Sequence, residues 1–271
     1  MKCLNCNETN HPPEAKYCFR CGEYLISNDC ANSNTKHHII NNLINNMVHV
    51  DGGTLTIRIP PKQGYVTDDE EIITRELIVP SFLIGRYLVT QEEWMVVMGR
   101  NPSKYKGARL PVEHVEWKSC QEFIKRLNVM TGMCFRMPTE AEWEFAARGG
   151  NKSRGFTYSG GNNLDEVAWY HNNTFKKGEA DPDFGTHPVG QKLPNELGLY
   201  DMTGNVWEWC GDCYDNQGSS LLTDADGNAL WSYNVSRGGG WMSAAGYCRV
   251  YRRIISPPTH SREFVGFRLA L

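Results

Sequence analysis

The chain has 271 residues, 28 Lys+Arg against 31 Asp+Glu, and a formal net charge of −3. At roughly 150 residues per domain, that length allows one large domain or one domain with an accessory module. The charge balance speaks against an electrostatic nucleic-acid reader, and no run approaches the ~18 apolar residues of a membrane span.

The first residues, Met1-Lys2-Cys3-Leu4, show no apolar signal-like segment, so a cytoplasmic location with reduced thiols is expected. The 10 cysteines therefore need sorting one by one rather than pairing as disulfides. Cys3-x2-Cys6 and Cys18-x2-Cys21 form two hooks, each able to turn both sulfurs toward one tetrahedral zinc at about 2.3 Å. The spacing predicts a structural zinc ribbon over residues 1–26, with metal binding supplying the folding free energy that so short a segment lacks. Its charges cancel (Lys2, Lys16 and Arg20 against Glu8, Glu14 and Glu23), which suits protein docking better than DNA contact. Residues 27–46 are rich in Asn and Ser and read as a linker. The His37-His38 pair reads as solvated, and Ile39, Ile40, Leu43 and Ile44 could form a short helix.

The main domain is expected over 47–271, with strands at 55–59, 76–79 and 81–88. Thr90-Gln91-Glu92-Glu93, Ser119-Cys120-Gln121-Glu122 and Thr139-Glu140-Ala141-Glu142 each read as a capping box opening a helix. Cys120 lies on the same apolar stripe as Phe123, Ile124 and Leu127 and is expected in the core. Beyond Gly150 regular signals fade, and Gly, Asn, Asp and Trp dominate. So long an irregular stretch should carry the function.

Val89-Thr90-Gln91-Glu92-Glu93-Trp94, Pro111-Val112-Glu113-His114-Val115-Glu116-Trp117 and Phe135-Arg136-Met137-Pro138-Thr139-Glu140 resemble the formylglycine-generating enzyme (sulfatase-modifying factor) family. So do Gly198-Leu199-Tyr200-Asp201-Met202-Thr203-Gly204-Asn205-Val206-Trp207-Glu208-Trp209, Arg237-Gly238-Gly239-Gly240-Trp241 and Gly266-Phe267-Arg268. The resemblance implies an α+β fold, a variant of the C-type-lectin fold with little regular secondary structure. It also implies a Ca²⁺ held by Asp201, the carbonyls of Gly204 and Val206, and Glu208, a hard-oxygen set. A second such site would fall around Asn173, Asp181 and Asp183. The family's oxidases convert a sulfatase cysteine to formylglycine with Cu(I) held between two cysteines. Cys248 matches the second of these, but Ser243 stands at the first, and a hydroxyl does not replace a thiolate toward soft copper. Copper is therefore not expected, and Cys248 would be the reactive thiol if the chain is an enzyme. The iron cluster of the branch that makes sulfur-containing histidine betaines has no counterpart among the 8 histidines.

Residues 241–264 instead combine aromatics, Arg and small polar groups, the composition of a binding surface. Trp241, Met242, Ser243, Tyr247, Tyr251, Arg253, His260 and Phe264 are the candidate contacts for a protein or small-molecule ligand. Some proteins similar to this family are diversified at this segment by retroelements, and the residue mixture here is compatible with that. The expectation is a non-oxidase binding module, with an active oxidase as the alternative. Elemental analysis of protein purified without added metal should find zinc and calcium. Copper near one equivalent per chain would reverse the order of the two readings.

Overall fold

The computed structural model describes residues 33–59, 73–214 and 233–271. The four ribbon cysteines and Cys30 lie outside the described residues.

Two of the three expected helix starts are closed by reciprocal hydrogen bonds. Helix α2 (Gln91–Met98) opens on the Thr90/Glu93 capping box and ends at Gly99 in the left-handed conformation. Helix α4 (Glu140–Ala147) opens on the Thr139/Glu142 box. The third box does not form. Helix α3 (Trp117–Thr131) starts earlier, at N-cap Glu116, whose side chain makes no cap hydrogen bond. Its first amide is taken by tertiary structure instead, Trp117 N donating to Pro258 O at 3.0 Å.

The Asn-rich stretch is not an irregular linker throughout. Residues Ser33–Asn45 form helix α1, and Ile40 and Leu43 are buried in the main core. Helical spacing of a few apolar side chains outweighs the poor propensity of Asn once a partner surface is available. That core is built on stacked and perpendicular rings. Trp94 lies parallel to Phe123 at 5.2 Å, and Phe267 meets both edge-on at 6.1 and 5.5 Å. Cys120 is buried among them, as its stripe predicts.

Strands β1 (Met47–Val50) and β4 (Phe82–Gly85) pair antiparallel, as do β2 (Gly53–Ile59) and β3 (Ile73–Val79). The expected strand 81–88 thus covers only 82–85. A third sheet has the order β7-β6-β5-β8, built from β5 (Trp207–Tyr214), β6 (Tyr233–Arg237), β7 (Arg253–Ser256) and β8 (Val265–Phe267). Only β5 and β8 run parallel in it. A short helix α5 (Leu164–Val167) is the one α-helix described after Gly150.

Irregular segments on both sides of Gly150 are held by buried carboxamides acting as substitute backbone. Asn205 accepts from His187 N at 3.1 Å and donates to His187 O at 3.0 Å. Asn195 donates to Ala146 O at 2.8 Å and accepts from Leu197 N and Leu199 N. Gln91 bridges Tyr105 O and Pro111 O while accepting from Asn101 and Gly107. Each amide ties a loop segment to a neighbour with which it shares no ladder.

Arg268 joins these layers. It is fully buried with Glu208. Nε donates to Glu208 Oε2 at 2.6 Å and Nη2 to Glu208 Oε1 at 2.8 Å, while Nη1 and Nη2 donate to Gly85 O and Tyr200 O, both at 2.9 Å. Trp143 Nε1 of α4 completes the node on Glu208 Oε2 at 2.9 Å. Truncating one partner of such a pair leaves a buried charge uncompensated. Arg268→Met is expected to cost about 3–5 kcal/mol in urea unfolding. Arg126→Met, which breaks the exposed pair with Glu122, should leave the midpoint essentially unmoved.

Candidate functional site

The run Arg237-Gly238-Gly239-Gly240-Trp241 leaves the end of β6 and turns over the parallel pair β5/β8. Gly238 and Gly239 both have positive φ, and a Cβ on Gly239 would lie 2.7 Å from Cys248 Sγ. Glycine there is what lets the Cys248 segment close against the turn.

Ser243 is locked in that turn. Its Oγ accepts from Trp207 Nε1 and from Gly240 N, each at 3.0 Å. Its carbonyl accepts from His171 N at 3.1 Å. Cys248 is fully buried beside Leu164, Val167, Ala168 and Tyr170, and burial pushes its thiol up to about 12. The donor set is therefore a hydrogen-bonded hydroxyl and a protonated thiol in an apolar shell. That set does not fit Cu(I), which wants two thiolates. Cys210 is also buried, with its thiol pushed up by burial, and Cys134 is exposed.

The candidate ligand contacts are not gathered on one face. Trp241 is buried, with Nε1 donating to Glu263 O at 2.9 Å and its ring set among Tyr105, Phe175 and Phe184 at 5.0–5.8 Å. Tyr247 and Phe264 pack, partly buried, against the main core. Arg253 pairs with Glu140 at 3.1 Å. Tyr251 accepts from Arg249 Nη1 at 2.7 Å. Met242, Ser243 and His260 are part-exposed, and burial, followed by the nearby Arg262, lowers the His260 pKa.

For a hard cation the oxygens divide. Asp201 sits at φ 56° and accepts from Gly190 N at 2.8 Å and from Asn205 Nδ2 at 3.3 Å. The buried carbonyls of Gly204 and Val206 receive no hydrogen bond among the described residues, as calcium ligands would require. The Glu208 carboxylate is already engaged by Arg268 and Trp143. Asp201, Gly204 and Val206 thus fit a cation, and Glu208 could join only by sharing its oxygens. At the second candidate place, Asp183 is held by Lys177, with His187 at 3.6 Å, and Lys177 keeps its carboxyl below the usual range. Asn173 bonds the Ala168 carbonyl and Asp165.

Glu113 escaped the sequence reading. It is fully buried next to the aromatic box, with Oε1 accepting from Tyr105 N at 3.0 Å and Oε2 meeting no donor among the described residues. The available signal was a carboxylate between two inward-facing valines, Val112 and Val115, with His114 forced to φ 63° between them.

Residues 34–271 match the sulfatase-modifying factor enzyme 1-like domain, and the chain belongs to that family. It is 35% identical over 224 residues to a protein named chaperone protein LppX from Paenibacillus barcinonensis, covering 67% of this chain and 76% of that one. It is 31% identical over 235 residues to a formylglycine-generating enzyme of Thermomonospora curvata, covering 76% and 75%. Among solved structures, Treponema denticola variable protein 1 superposes with a TM-score of 0.66 at 30% identity, covering 83% of this chain and 94% of that one. The α+β architecture is accordingly the C-type-lectin-like fold of this family. Among the described residues no helix is long and apolar enough to cross a membrane.

Burial pushes the Glu113 carboxyl up to about 7, with the Tyr105 amide opposing, against ~4.3 in an unfolded chain. Between those values the folded state holds a proton that the unfolded state has lost. Stability should therefore fall as pH rises through this window and level off above it. Glu113→Gln is expected to flatten that part of the profile and to raise stability at pH 8 by on the order of 3 kcal/mol. Thermal unfolding from pH 4.5 to 8 reads both.

Proposed function

We propose that this chain is a non-oxidase binding member of the sulfatase-modifying factor family, which recognises a protein or small ligand through residues 241–264. One observation carries the reading: the family's first copper cysteine is replaced by Ser243, whose hydroxyl already serves Trp207 and Gly240. The buried, protonated Cys248 supports it from the other side. The similarity to a protein named Treponema denticola variable protein 1 is consistent with it. The similarity to a protein named a chaperone fits partner binding as well.

The oxidase reading is favoured by the retained Cys248 and by the identity to a formylglycine-generating enzyme. In that reading Cys248 is the reactive thiol and a sulfatase cysteine the substrate. Zinc at Cys3, Cys6, Cys18 and Cys21 would shape an N-terminal docking module. Calcium on Asp201, Gly204 and Val206 would stiffen the turn that leads into β5. Both metals would be structural in this account, and the chain would work in the cytoplasm.

The test is incubation of the full chain with Cu(I), oxygen and a cysteine-containing sulfatase-type peptide, followed by mass spectrometry. The binding module leaves the peptide cysteine unchanged. Conversion to formylglycine that is lost in Cys248→Ala would establish the oxidase instead.

A further inference from the structure

The loop from His171 to His187 runs along the aromatic box and carries both of its phenylalanines. Phe175 and Phe184 lie 5.6 Å apart and meet the Trp241 ring at 5.8 and 5.0 Å. The Thr174 hydroxyl donates to the Trp241 carbonyl. A single 3₁₀ turn, Phe175–Lys177, follows. The rest of the loop closes on itself through short-range bonds, Lys177 N to Thr174 O, Asp181 N to Gly178 O and Phe184 N to Asp181 O, each at 3.0 Å. A segment with so few bonds opens easily unless a further contact ties its two flanks.

The family resemblance puts a second Ca²⁺ around Asn173, Asp181 and Asp183, but their oxygens do not converge on one. Calcium takes about 6–8 oxygens at roughly 2.3–2.6 Å. The Asn173 carboxamide is engaged in its own turn, accepting from Tyr170 N at 2.9 Å and donating to Ala168 O at 3.0 Å. Asp183 gives Oδ2 to the Lys177 ammonium, and its Oδ1 lies 3.6 Å from His187 Nε2. Asp181 Oδ1 accepts from Asp183 N at 2.9 Å and lies 4.0 Å from the same ammonium. A second ammonium, Lys192, stands 4.1 Å from the centre of the Trp169 ring, which stacks on His187 at 3.7 Å. The two aspartates thus face ammonium charge rather than an open shell of oxygens.

From this we infer that Lys177 is the built-in cation of the loop. Its ammonium takes the place of the second Ca²⁺ between Asp181 and Asp183, so the wall of the aromatic box beside Trp241 stands without that metal. Lys177 lies two residues after Phe175, and Asp183 lies one before Phe184, so joining them draws the two phenylalanine flanks together. A side-chain cation travels with the chain, and its hold does not vary with calcium concentration as a bound ion's would. Lys177 is therefore a positioning residue for the segment that begins at Trp241. This role holds whatever that segment binds, and whether or not Asp201, Gly204 and Val206 hold a calcium of their own.

Local hydrogen exchange and the calcium content of the full chain test this role. The Lys177–Asp183 pair is partly exposed, at 37 and 39%, so its loss should barely move global unfolding and is read in local opening instead. In Lys177→Met, which keeps the length and removes the charge, the backbone amides of 175–184 should exchange about threefold faster or more. Lys177→Arg, which keeps the charge, should leave them close to wild type. After dialysis against about 1 mM CaCl₂, the wild type and Asp183→Asn should hold equal calcium per chain. Three results would each overturn the role: wild-type exchange in Lys177→Met, exchange in Lys177→Arg as fast as in Lys177→Met, or one calcium equivalent lost in Asp183→Asn. Copper-dependent peptide oxidation would overturn the binding-module reading and leave the role of Lys177 standing.

Discussion

The buried guanidinium of Arg268 is the constraint on which the molecule depends. A charge taken wholly out of water must be met by a counter-charge and by acceptors on every donor, or it costs several kcal/mol. Here the counter-charge is Glu208 on β5, and the other acceptors are carbonyls of Gly85 on β4 and Tyr200 in the irregular half. Satisfying one side chain thus places the end of the chain, two sheets and a long loop at fixed separations. Trp143 adds α4 to the same carboxylate. The parallel β5/β8 pair and the turn above it are laid on this node.

A second guanidinium repeats the device on the other side of β6. Arg237 is buried between Glu140 and Glu144 and also reaches the carbonyls of Val250 and Arg252. It thereby anchors the C-terminal segment to α4 just where the segment passes from the Ser243 turn to Tyr251. The consequence for function is a division of labour along one stretch of chain. Trp241 is a buried brace inside an aromatic box, Tyr247 and Phe264 pack on the core, and Arg249 and Tyr251 line a cavity between the end of α4 and the loop at 155–157. A segment with the composition of a binding surface is thus partly scaffold.

What was legible in the sequence follows the range of the interactions. The Thr90 and Thr139 boxes are contacts between residues three apart, and both appear as expected. Ser119 offered the same local pattern but lost to a tertiary hydrogen bond at Trp117, because a cap is only as strong as its competitor. The apolar spacing of Ile39, Ile40, Leu43 and Ile44 pointed to a short helix, and helix α1 includes all four but starts earlier, at Ser33 in the Asn-rich stretch read as linker, since propensity does not register the core that receives Ile40 and Leu43. The Ser243 substitution was plain from motif alignment, but its hydrogen bonds to Trp207 and Gly240 were not. The burial of Glu113 and the aromatic box around Trp241 were invisible for the same reason: Tyr105, Phe175, Phe184 and Trp241 meet only through the topology.

In the proposed reading, the family's copper place has become a structural turn in this chain. The hydroxyl with two donors on it and the thiol that burial pushes up to about 12 are the observations that support it. The most direct measurement is Cu(I) uptake by the full chain against a competing chromophoric chelator, compared between the wild type and Cys248→Ala. Because the N-terminal cysteine hooks can themselves take copper, the difference between the two proteins is the informative quantity. The account predicts equal uptake; loss of one copper equivalent in Cys248→Ala would contradict it.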